Sequence, residues 1–186
     1  MRPSKIDDIE LVNVLSRVIR TRGYDGASLA ELSEASGLKK ASLYHRFPNG
    51  KTEMTEAVLK HIDNFFDRNL REIAYDENRK VAERLLSVLD NIKEFYENGG
   101  LPCIIPALSV GEGYRLFAEQ IAQSIDLWTS SFTKLGTDLG FDKAEAGLKA
   151  RNTLIKIQGA LIVANGLQDK EVFKQSIEEI KESYLS

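Results

Sequence analysis

The residues of this chain best equipped to meet another molecule lie between positions 39 and 51, where Lys39, Lys40, Ser42, Tyr44 and His45 share a short segment and Lys51 follows it. Ammonium, hydroxyl, phenol and imidazole groups are those that hydrogen-bond to phosphates and base edges. Catalytic chemistry has no comparable concentration. There are two histidines, His45 and His61, and one cysteine, Cys103, with no paired carboxylates, phosphate loop or nucleophile motif. Gly111 and Gly113 spell GEG without the surroundings of a nucleotide fold. A single cysteine builds neither an internal disulfide nor a structural metal cluster. No catalytic residue, metal or cofactor is expected.

A short polar segment reads a surface only if something rigid holds it out. Leu11, Val12, Val14, Leu15, Val18 and Ile19 recur at helical spacing, predicting a first helix over 6–22 that Gly23 stops. Ser28 and Glu31, three apart where a new apolar pattern begins, form a capping-box signature, so a second helix starts there and runs to about Ala35. Gly37 breaks the pattern, and 39–46 is helical again before Pro48 and Gly50. Two short helices joined by a glycine-bearing turn are the geometry that carries a second helix into a DNA major groove. Leu29, Leu32, Leu38, Leu43 and Phe47 are spaced to pack inward. Lys40 and Ser42 fall near the second helix's start, where base edges are met, and Tyr44 and His45 reach toward flanking phosphates. Ala41 is small where bulk would hold the helix off the groove. The same arrangement also occurs as plain packing, so spacing alone leaves both readings open.

The run from Gly37 to Phe47, GLKKASLYHRF, resembles the recognition-helix signature of the TetR family of bacterial regulators, and Ser28 to Ala35 resembles its second helix. Lys51 resembles the family's phosphate-contacting lysine at the start of helix four. The likeness spans roughly residues 5 to 60. It implies a DNA-binding set of Ser28, Lys39, Lys40, Ala41, Ser42, Tyr44, His45 and Lys51. Two departures stand out: Lys39 replaces the family's usual serine or threonine, and the FPNGK loop is one residue longer than the commonest form. The longer loop resembles a branch that responds to drugs and flavonoid-like compounds.

The rest of the chain reads as helix throughout. A longer helix over 51–74 suits a connector, with Met54, Val58, Ile62, Phe65 or Phe66, and Ile73 on one face. Helices follow over 80–97, 114–135, 143–166 and 170–185, with an irregular stretch at 101–113 and a loop at 136–140. The fold class is therefore all-α: residues 1–51 form a helix-turn-helix domain, 51–74 a connector, and 75–186 a helical body. In that body Phe95, Tyr96, Cys103, Leu108, Tyr114, Phe117, Trp128 and Phe132 suit an ordinary core or a ligand site. Gln158 either orients a ligand or hydrogen-bonds within the core. Leu154, Ile157, Leu161 and Ile162, joined by the small Ala160 and Ala164, and Phe173, Ile177, Ile180 and Tyr184 form helical stripes that serve an internal core or a partner face. The resemblance implies an effector cavity at the first set and a four-helix dimer interface at the second.

Composition sets outer limits. Of 186 residues, 42% are hydrophobic and 28% charged, the balance of a soluble globular chain, and no signal peptide or spanning segment stands out, so a cytoplasmic protein without membrane partners is expected. The net charge of -3 conceals nine basic against six acidic residues up to position 51, with an acidic remainder. The resemblance implies a homodimeric repressor on a palindromic double-stranded operator, released by a small, largely apolar effector of unidentified structure. The competing expectation is a helical interaction protein without ligand-controlled DNA binding.

Overall fold

In the computed structural model, which describes residues 6–186, helices α1 (Asp8–Gly26), α2 (Leu29–Ser36), α3 (Lys40–Arg46) and α4 (Lys51–Phe66) follow in order. A π-helical turn, Asp67–Arg71, joins α4 to a last turn, α5 (Glu72–Ala74). Then come α6 (Val81–Phe95), a 3₁₀ turn at Glu97–Gly99, α7 (Ile104–Leu108), α8 (Gly111–Asp138), α9 (Lys143–Leu167) and α10 (Glu171–Leu185). Among the described residues there is no strand.

The chain divides into two compact units: one holds the residues up to Asp63 together with Ile104–Ile121, and the other holds Asn64–Cys103 with Ala122–Ser186. The linear split at positions 51 and 75 thus gives way to one in which α7 and the start of α8 join the N-terminal unit, because α7 packs on α1. The core of this unit is built on Leu11, Leu15, Ile19, Leu32, Leu43, Met54 and Val58, all essentially inaccessible.

Three elements differ from the periodicity reading for identifiable reasons. The connector buries Ile62, Phe66, Leu70 and Ala74, spaced by four, while Ile73 is only half-buried. A regular helix drifts off such a stripe, and the π turn, with five residues to its hydrogen-bonded ring, brings it back. Gly136 does not end α8, which runs on to Asp138: a Cβ there would lie 3.0 Å from that of Ala146, so the glycine marks close approach of α9. Gly23 does adopt a left-handed conformation (φ 71°), but one further turn carries Tyr24 into a buried position.

The second unit supplies the main correction. Leu154, Ile157, Leu161, Phe173, Ile177, Ile180 and Tyr184, the proposed partner face, are all buried inside the subunit, where α9 and α10 pack on each other. Burial pushes the Tyr184 hydroxyl up to about 12, and the Thr153 hydroxyl donates to it at 3.3 Å. Helical periodicity marks a buried face without saying which molecule buries it. Of the expected α9 residues only Ile162 is accessible, and it lies on another stripe: Leu148, Ile155 and Ile162, seven apart, are each more than half exposed, with Val163 and Leu167 beside them. Gly159 and Gly166 lie along it with open space above their backbones.

Candidate nucleic-acid interface

The lysine-bearing tip is held from below. Leu32 of α2 and Leu43 of α3 are fully buried, while Leu29, Leu38 and Phe47 are half-buried at the edge of the same core. Gly37 makes the turn with φ 66°, and an added Cβ would meet nothing within 4 Å, so backbone conformation alone asks for glycine. The Ser33 hydroxyl donates across the turn to the carbonyl of Leu38 at 2.5 Å. Arg46, unnoticed in the sequence, ties the end of α3 to the start of α1 by donating to the Ile6 carbonyl at 3.0 Å and pairing with Asp8 at 3.1 Å.

Lys39, Lys40, Ala41, Ser42, Tyr44 and His45 are all exposed. Within the described residues neither Lys39 nor Lys40 has an ion-pair partner, so both ammonium groups are available to an anion. The Tyr44 ring lies over Gly50, where a Cβ would stand 3.2 Å from its edge; Gly50 has φ 65° and immediately precedes α4. A side chain at 50 would both strain the backbone and displace that ring.

Two members of the expected set are occupied. Ser28 caps α2: its hydroxyl accepts from the backbone N–H of Glu31 at 3.2 Å and donates to the Glu31 carboxylate, which also accepts from the backbone N–H of Ser28. These bonds, with nearby Arg22, hold the Glu31 carboxyl below its ordinary value. Ser28 is nevertheless exposed at the helix end. Lys51 departs further from the expectation. Its ammonium turns inward, donating to the Tyr24 carbonyl at 2.6 Å and lying 4.2 Å over the Tyr24 ring. The end of α1 presents an unpaired carbonyl there, and the cation takes it in preference to solvent.

The expected effector residues are divided between the two units. Leu108 and Phe117 are buried in the N-terminal unit, where Phe117 packs edge-on against Tyr24 at 5.4 Å, and Tyr114 is more than half exposed. Phe95, Tyr96, Cys103, Trp128, Phe132 and Gln158 belong to the second unit. There Phe66 joins Phe95 and Trp128 at 4.5 and 4.6 Å, and Trp128 adjoins Phe132 at 6.3 Å. Tyr96 donates to the Cys103 sulfur at 3.3 Å. Both polar atoms of the Gln158 amide are buried without a hydrogen-bond partner. Phe66 was read only as a connector residue, since α4 gives no periodic sign that its end enters this cluster.

A buried scaffold presenting a short helix tipped with exposed cations, a hydroxyl and a phenol defines a helix-turn-helix DNA-binding protein. Residues 11–58 match the bacterial regulatory proteins of the tetR family. Over 168 residues the chain is 23% identical to the uncharacterized HTH-type transcriptional regulator YxaF of Bacillus subtilis, covering 87% of this chain and 86% of that one. It is 24% identical over 163 residues to the HTH-type transcriptional activator FasR of Mycolicibacterium smegmatis, covering 83% and 67%. Its fold superposes on the TetR family regulator CifR, solved with a 26-base-pair operator duplex, with a TM-score of 0.71 at 22% identity, covering 98% and 100%. Residues 11–58 are thus a DNA-binding domain of the tetR type, and the chain is similar along most of its length to HTH-type transcriptional regulators.

Proposed function

We propose that this regulator is a cytoplasmic repressor that binds a palindromic operator as a homodimer and leaves it when a small, largely apolar effector binds. The observation that carries the reading is the exposed, unpaired tip of α3: Lys40 and Ser42 toward base edges, Lys39, Tyr44 and His45 toward phosphates. One head covers too few base pairs for a unique address, which a two-fold pair on a palindrome supplies. The partner face we assign is the exposed stripe of α9, Leu148, Ile155 and Ile162, with Gly159 and Gly166 along it. Apolar side chains at seven-residue spacing, with a glycine four residues after Ile155 and another four after Ile162, suit close packing against a second copy.

The effector reading rests on the cluster of Phe66, Phe95, Tyr96, Trp128 and Phe132 with the unpartnered amide of Gln158. Rings supply apolar contact, and a buried donor and acceptor without partners favour a ligand that offers both. Repression is favoured over activation because release by an effector needs only weakened binding, although one relative is an activator.

A gel-shift with duplexes flanking the protein's own gene tests the DNA contacts. Replacing Lys40 and Tyr44 by alanine should abolish the shift with the helical circular-dichroism signal unchanged, and affinity of the unaltered protein should fall steeply with salt. Retained, salt-insensitive binding by the double variant would favour the interaction-protein reading instead.

A further inference from the structure

The GEG at 111–113 has no nucleotide to hold, yet the structure uses both glycines. Gly111 starts α8 with φ 59°, and a Cβ there would fall 2.0 Å from a carboxylate oxygen of Asp25. Gly113 is buried, and its Cβ would stand 3.0 Å from that of Tyr24 and 3.3 Å from the Leu108 carbonyl. Both glycines therefore let the first turn of α8 sit directly on the end of α1. Asp25 then accepts the backbone N–H of Glu112 at 3.1 Å, satisfying one of the donors a helix start leaves open.

Tyr24, one residue earlier, faces the other way as well. Its ring meets Phe117 of α8 at 5.4 Å, its hydroxyl shares a 2.9 Å hydrogen bond with Thr52, and its carbonyl takes the Lys51 ammonium at 2.6 Å. Two consecutive residues at the end of α1 thus hold the first turns of both α4 and α8. These are the two helices that begin in the N-terminal unit and continue into the second, where α8 carries Trp128 and Phe132. The contacts are hydrogen-bonded, charge-assisted or close-packed, and α1 also packs on α2, which in turn packs on α3.

We infer that Tyr24 and Asp25 are the coupling element of this regulator: Asp25 positions the first turn of α8, Tyr24 that of α4, and the state of α8 reaches the reading head through them. This rests on the DNA-binding reading above. Coupling between two sites is reciprocal, so DNA bound at the head must be felt along α8 if the inference holds. Trp128 is the only tryptophan in the chain and reports on α8 directly.

The test uses the full chain and a duplex enriched by the wild-type protein from a random-sequence pool. Binding should shift Trp128 emission in the wild type. In Asp25→Ala the shift should fall at least about threefold, while duplex affinity stays within about threefold, because Asp25 touches no DNA-facing residue. Asp25→Asn keeps an acceptor for the Glu112 N–H and should restore the shift. Amide exchange over 111–121 should quicken in the alanine variant alone, with unchanged melting confirming an intact fold. The inference is overturned if the alanine variant keeps the full shift, if it loses duplex binding altogether, or if the wild type shows no shift on binding. A wild type that enriches no duplex sinks the DNA-binding reading and this inference with it; the three former outcomes leave that reading standing or strike only the coupling.

Discussion

Truncating Ile155 and Ile162 to alanine separates two accounts of how the protein pairs. These side chains are 62% and 60% exposed on α9, so most of their apolar area remains to be buried by a partner. Full burial of such a side chain stabilises by about 1.5–3 kcal/mol, so the exposed share is about 1–2 kcal/mol at each position. A two-fold interface counts each position twice, so the double variant loses about 4–8 kcal/mol of association free energy. That weakens dimerisation at least about a thousandfold. The subunit should fold normally, since neither side chain enters its core. Sedimentation equilibrium between nanomolar and micromolar protein reads the change directly. Ile177→Ala provides the contrast. Ile177 is 1% exposed, so its truncation should cost about 2–5 kcal/mol of folding stability, visible in urea melts, without shifting the monomer–dimer balance of the folded fraction. A double variant that dimerises as tightly as the wild type would refute the assignment of the α9 stripe.

Other outcomes follow from individual groups. Arg84 is buried, donates to the Ala74 carbonyl at 2.5 Å and pairs with Asp138 at 2.8 Å; Arg84→Ala should destabilise the second unit by about 3 kcal/mol in chemical denaturation. Gln158→Leu removes a buried, unpartnered amide, so the melting temperature should rise by a few degrees; a fall would show that the amide is engaged. Burial and then Arg20 hold the His61 imidazole below its usual value. Its protonation therefore favours the unfolded chain, and stability should decline as pH drops below about 6.5, an effect that His61→Gln should flatten. Against the cost of burial, Lys134 and Arg84 hold the Asp138 carboxyl below its ordinary value. Its contribution is present above the ordinary carboxylate range and lost as pH falls through it, so Asp138→Asn should reduce the acid sensitivity of unfolding below about pH 4.

Local chemistry was legible in the chain itself. The Ser28–Glu31 cap, the Gly37 turn, the alternation that buries Leu32 and Leu43, and the exposed lysines of α3 each depend on residues a few positions apart, and helical spacing decides them. Helix existence followed for the same reason except over 101–113, where α7 and the first turn of α8 occupy a stretch that reads as irregular. What depended on distant residues did not. Whether Ile177 faces a partner or its own core is invisible to periodicity, because a helix buries the same stripe either way; only the packing of α9 on α10 assigns it inward and leaves Leu148, Ile155 and Ile162 outside. Lys51 reads as a phosphate contact until the end of α1 offers it a carbonyl, and GEG reads as an empty motif until Tyr24 and Asp25 come to rest on it. Spacing along a helix sets which side chains share a face; what that face meets is decided by segments far away in sequence, brought together by the burial of apolar surface.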